Sequence, residues 1–145
     1  MRHHLAIVEG RYIDAILAGR KTIECRLGLI GSVPYGAVEA GDLIWFKEIC
    51  GPVRGVASTQ KVESFEALTP ARVDWLRRTY NAQIGAPSSF WQAYQQARYA
   101  TLVHLQEVCP LTPFRIQKRD RRAWVVLDEP PVPGQTLVRR SGWES

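Results

Sequence analysis

The sequence predicts an α+β fold, a small mixed β-barrel flanked by helices. Its predicted strands are short and bounded by Gly and Pro. Two helical stretches sit together in the middle of the chain. Strands and helices do not alternate regularly, which argues against a doubly wound parallel sheet. At 145 residues the chain makes one ordinary domain that can bury a core without cross-links.

His3 to Val8 reads as the first strand. Arg11 to Ala18 reads as a helix, with Ile13, Ile16 and Leu17 on one face. Gly19 stops it, because glycine enters the left-handed C-terminal conformation cheaply. Lys21 to Leu27 reads as a strand, and residues 28–40 as a loop. Gly41-Asp42 turns the chain into an apolar strand from Leu43 to Ile49. Val53 to Val62 follows, with a bulge expected at Gly55. Thr69-Pro70 opens a helix to about Asn81, with Val73, Leu76 and Tyr80 inward. Pro87-Ser88 opens another through about Arg98, with Phe90, Trp91, Tyr94 and Ala97 as its core side. Tyr99 to Val108 is a strand that Pro110 and Pro113 should end. Phe114 to Gln117 and Ala123 to Leu127 flank a basic turn, KRDRR. The domain is expected to close near residue 128, and the proline-rich 129–145 to form a partly ordered tail.

No run of about 18 apolar residues crosses a membrane, and Leu5 to Val8 is too short for a signal peptide. Cys25, Cys50 and Cys109 are odd in number and widely spaced. They fit buried inert thiols in a reducing cytoplasm, not a disulfide framework. No His/Cys/Asp/Glu spacing suits a metal, and no Walker, GxGxxG, GxSxG or HExxH motif is present. No cofactor is expected. The net charge of +5 and pI of about 9.4 suit a polyanionic partner. Basic groups cluster at Arg72, Arg77 and Arg78, at Arg115, Lys118, Arg119, Arg121 and Arg122, and at Arg139 and Arg140.

The densest mixture of charge is AGRKTIECRL, residues Ala18 to Leu27. On a strand, Thr22, Glu24 and Arg26 share one face while Ile23, Cys25 and Leu27 share the other. Lys21 sits at the junction and can lean either way. Such a strand is either a solvated ion-pair face or the polar floor of a pocket. In a pocket, an ammonium binds phosphate or a carbonyl oxygen, and a desolvated lysine acts as base or nucleophile. Glu24 would hold the lysine or move a proton, and Arg26 would fork onto a carboxylate or phosphate.

Gly19, Lys21, Glu24 and Arg26 match a GxKxxExR pattern. With IDAILAGRKT before it and RRAWVVL at Arg121 to Leu127, the chain resembles the ASCH domains of the PUA-like superfamily. The resemblance implies a PUA-like barrel with a cleft lined by Lys21, Glu24 and Arg26, and RNA or a modified nucleoside as ligand. It also implies an alternative. One bacterial branch hydrolyses N4-acetylcytidine with a lysine, a threonine and a glutamate. Lys21 matches that lysine, but Glu24 stands at the threonine's place. Glu63, Glu66 and Asp74 are candidates for the glutamate. Another branch is linked to RNA cleavage. A third possibility is a partner-binding barrel with a merely solvated charged strand.

Other residues carry a functional reading beside a structural one. Trp45 is core or pocket wall. Tyr94 and Arg98, in FWQAYQQARY, either pack a helix or stack and hold a base. Lys118, Arg119, Arg121 and Arg122 form a solvated turn or guide a phosphate backbone. His104 is a satisfied barrel histidine, while His3 and His4 could reach the cleft.

Overall fold

The computed structural model describes residues 1–138 of the chain. Six strands form a curled half-barrel sheet, with three helices packed against it. They are β1 (His3–Val8), β2 (Ile23–Gly28), β3 (Leu43–Glu48), β4 (Val53–Phe65), β5 (Tyr99–Phe114) and β7 (Trp124–Leu127). The sheet order is β2-β5-β4-β3-β1-β7, so β2 and β7 are its two edges. A two-stranded ribbon of β6 (Gln117–Lys118) and β8 (Thr136–Leu137) lies beside it. The helices are α1 (Gly10–Leu17), α2 (Pro70–Ile84) and α3 (Ser88–Ala93).

Strand register assigns three cores. Glu24, Val103 and Val62 are cross-strand partners on the concave face, where Ala6, Ile13, Ile16, Ile44, Phe46 and Trp124 pack. Cys25, Leu102 and Glu63 are partners on the opposite face, which α2 and α3 cover through Val73, Leu76, Ile84 and Trp91. At the other end of the sheet, Leu5, Val53, Ile116, Val125 and Leu127 form a third core beneath the ribbon. Thr69 caps α2 by accepting from the Arg72 N–H at 3.2 Å, worth about 1 kcal/mol. Gly85 ends that helix in the left-handed region at φ 70°.

Four details differ from the sequence reading. Pro110 and Pro113 do not break the chain: β5 runs through both to Phe114. Its register against β4 slips in this stretch, and proline is tolerated where a ladder bond is already missing. The helix opened at Ser88 ends at Ala93, and Ala97 reaches the core from the turn that follows. The proline-rich exit folds back as β8 pairs with β6, placing Leu137 against the third core. Only Cys25 is buried, with its thiol pushed up to about 12 chiefly by desolvation. Cys50, in the β3–β4 turn, and Cys109, beside a register slip of β5 against β4, are exposed. Arg139 and Arg140 lie outside the described residues. No described helix is long and apolar enough to cross a membrane.

Candidate functional site

The opening charges of β2 form a connected chain. Lys21 leans toward Glu24: Nζ lies 3.5 Å from Oε1, and both side chains are nearly buried. Arg26 Nη2 lies 3.4 Å from the other oxygen, Oε2. Thr22, expected on the same face, is exposed.

Each cation is also tied to backbone. The Lys21 ammonium donates to the carbonyls of Ile23 at 2.8 Å and Ile84 at 2.7 Å. Ile84 is the last residue of α2, so the charge sits where the helix dipole favours a cation. Arg26 donates through Nη2 to Ile7 O at 3.1 Å and through Nη1 to Ala123 O at 3.3 Å. Its guanidinium therefore spans the open side of the half-barrel, from edge strand β2 to the β1–β7 side. It also lies 5.2 Å from the Trp124 ring centroid. Behind Trp124, the indole N–H donates to His4 Nδ1 at 3.0 Å, and His4 Nε2 meets Asp42 Oδ2 at 2.9 Å. That pattern makes Nε2–H the proton-bearing nitrogen of a neutral His4.

Burial would raise the Glu24 carboxyl, but Lys21 and Arg26 outweigh it and hold the group below its ordinary value of 4.5. Glu24 is thus an ionised carboxylate that is 6% exposed. Its contacts of 3.5 and 3.4 Å are long; charge-assisted bonds run at about 2.7–2.9 Å. With only these long contacts, the carboxylate keeps acceptor capacity for a further donor. Tyr12 of α1 supplies an aromatic ring nearby, 5.7 Å from Lys21 Nζ.

The other expected site residues lie elsewhere. Trp45 is a cross-strand partner of Leu5 and Val56, on the face opposite Phe46, where its indole donates to His3 Nδ1 at 3.2 Å. It does not share a face with Glu24. Tyr94 is exposed at the end of α3 and packs on Phe90. Arg98 is exposed, and its N–H bonds Gly28 O at the end of β2 remote from Lys21. In the basic turn, Arg122 forks onto buried Asp120 and Lys118 donates to the Asp120 carbonyl, whereas Arg119 and Arg121 are exposed.

Of the three candidate acids, Glu63 lies on the α2 face, accepting from Tyr80 at 2.9 Å and pairing with His104 at 2.7 Å. Asp74 pairs with Arg78 on α2 at 2.9 Å, and Glu66 is exposed. No group of described residues could hold a metal. Sequence reasoning missed Tyr12 and the service of Trp124. Tyr12 stands one turn before Ile16 on the apolar face of α1, a spacing visible in the sequence.

This architecture is the ASCH-domain fold, a small PUA-like α+β arrangement. The chain is similar to a tyrosine-to-phenylalanine variant of the ASCH protein from Zymomonas mobilis, at 19% identity and a TM-score of 0.62. That match covers 79% of this chain and 76% of the other. The unsubstituted Zymomonas mobilis ASCH structure matches at 19% identity and a TM-score of 0.60, over 77% of this chain and 71% of that one. A hypothetical protein, PH0355, is similar at 16% identity and a TM-score of 0.52, over 77% of this chain and all of the other. No protein-family model matches the chain, and no curated protein matches it significantly.

Proposed function

We propose that this protein binds RNA or a modified nucleoside on the concave face of the half-barrel, with Glu24 reading the base. The observation that carries the reading is a buried ionised carboxylate, flanked by two cations, whose contacts are all long. Several bases present an exocyclic amino donor on their edge, and a carboxylate accepts well from the cytosine amino group. Tyr12 offers a face for stacking. Exposed Arg119 and Arg121 are available to phosphates, while Lys118 and Arg122 already have partners.

Hydrolysis is supported less well. A catalytic lysine must surrender a proton, and the Lys21 ammonium is donated to two carbonyls and faces Glu24. By register, Glu63 stands on the other side of the sheet from Glu24. The threonine hydroxyl of the acetylcytidine branch is missing at position 24.

The test is anisotropy of labelled short single-stranded RNAs over a salt series, with wild type and Glu24→Gln. Binding should fall with salt, with a slope of about −2 if roughly three phosphates are contacted. Glu24→Gln should weaken binding about tenfold or more without changing that slope. Equal binding by both proteins would contradict the reading, as would no binding at all. Incubation with N4-acetylcytidine, analysed by chromatography, addresses the hydrolase directly: deacetylation by the wild-type protein would replace a binder with an enzyme.

A further inference from the structure

On the face of the sheet that α2 covers, four rings form a row outside the concave cleft. Phe65 of β4 stands 6.1 Å from Trp75, centroid to centroid, Trp75 stands 5.9 Å from Tyr80, and Tyr80 stands 6.4 Å from His104 of β5. Each contact is edge-to-face, and each ring is partly exposed. Hydrogen bonds fix one end of the row. The Tyr80 hydroxyl donates to Glu63 Oε2 at 2.9 Å, and His104 Nε2 meets Oε1 at 2.7 Å. Lys61, the cross-strand partner of His104, is exposed and lies 3.9 Å from that same oxygen, Oε1.

A cation stands at the other end. The Arg72 guanidinium lies 4.0 Å from the Trp75 ring centroid and 5.8 Å from that of Phe65, so it stacks on the row. Arg72 is exposed, and its side chain makes no hydrogen bond or ion pair among the described residues. The other arginines of this helix differ: Arg77 donates to Ser88 at 3.0 Å, and Arg78 pairs with Asp74 at 2.9 Å. Arg72 is thus held by an aromatic platform while its N–H donors stay free. Glu63 repels an incoming anion little, because a phenol, an imidazole and an ammonium already surround it.

Rings held rigid give up little conformational entropy when a flat ligand stacks on them. A stacked guanidinium offers its outer plane to a base and its N–H edge to a phosphate. We propose that this row is a second contact surface for single-stranded RNA, with Arg72 as its principal residue. Bases stack on the Arg72 plane and the ring surface beside it, and Arg72 and Lys61, at the two ends of the row, meet phosphates. An acidic peptide would use the two cations but leave the planar surfaces idle. The row lies across the sheet from Glu24 and does not depend on base recognition there.

Anisotropy of a labelled oligouridine of about six nucleotides tests the surface. Uracil carries no exocyclic amino group for Glu24, so this probe separates the row from the concave cleft. Arg72→Ala, at an exposed position, should weaken binding about tenfold. Arg72→Lys should weaken it nearly as far, because lysine keeps the charge and loses the plane. Glu24→Gln should leave it unchanged, and the Trp75 indole N–H should shift in a ¹H–¹⁵N titration with the same probe. Wild-type affinity in Arg72→Lys would reduce the contact to charge and overturn the stacking role. Displacement of the probe by polyglutamate at equal charge would make the row a surface for acidic peptides and overturn the assignment to RNA. Absence of oligouridine binding, affinity unchanged in Arg72→Ala, or binding lost in Glu24→Gln would each overturn the second surface.

Discussion

The Lys21 ammonium donates to the carbonyl of Ile84 at 2.7 Å, joining the entry of β2 to the last residue of α2. Beside it, Thr22 N–H bonds the Gln83 carbonyl at 3.0 Å, so the junction is held twice. The same lysine balances Glu24. A residue that marks the motif is therefore also a structural tie, and this changes what its removal reports.

A lysine that served only a ligand would leave the fold intact when changed to alanine. The structure predicts destabilisation instead, by about 3–5 kcal/mol, because a buried carboxylate loses a counter-charge. Chemical denaturation checks this. Stability within about 1 kcal/mol of wild type would contradict the account of the ion-pair chain.

Arg26 seams an opening that has no strand-to-strand ladder between the edges. Arg26→Lys should not restore both carbonyl bonds, since an ammonium lacks the planar fork. Amide hydrogen exchange should quicken along β2 and β7 in this variant, with β4 little changed. Uniform protection across the sheet would show that the seam is unimportant.

Glu24 has a folded pKa below its ordinary 4.5, so in acid the folded state binds fewer protons than the unfolded chain. Its contribution to stability is present above about pH 4.5 and is lost as pH falls through the folded pKa. Denaturation midpoints measured against pH should fall less steeply in this acid range for Glu24→Gln than for wild type. Parallel curves would contradict an ionised Glu24.

His4 behaves with the same sign at higher pH. Desolvation lowers it from 6.5 despite the opposing Asp42, so it stays neutral in the fold while the unfolded chain gains a proton. Stability from this group is full above about pH 6.5 and declines as pH falls toward the folded value. Nitrogen-15 shifts of the imidazole should show the Nε2–H tautomer persisting below pH 6.5. A protonated ring at that pH would refute the Trp124–His4–Asp42 arrangement.

Much of this architecture was legible because apolar periodicity and turn residues agree locally. The β2 alternation put Glu24 and Arg26 on one face correctly. What Lys21 would touch was not legible, because Ile84 lies 63 residues away and is reached only through tertiary packing. Trp45 shows the limit of local reading: its apolar strand is buried on both faces, so hydrophobicity alone cannot say which side borders the cleft. Pro110 and Pro113 misled because a strand with a slipped register has lost the bonds that proline would remove.

The most direct test of the central claim is a ¹H–¹⁵N NMR titration with cytidine and N4-acetylcytidine, on wild type and Glu24→Gln. The account predicts saturable shifts at Tyr12, at residues 21–27 and at Ala123 and Trp124, with affinity about tenfold weaker or more in the variant. Shifts confined to the ribbon and the basic turn, or a response unchanged by Glu24→Gln, would contradict base recognition on the concave face.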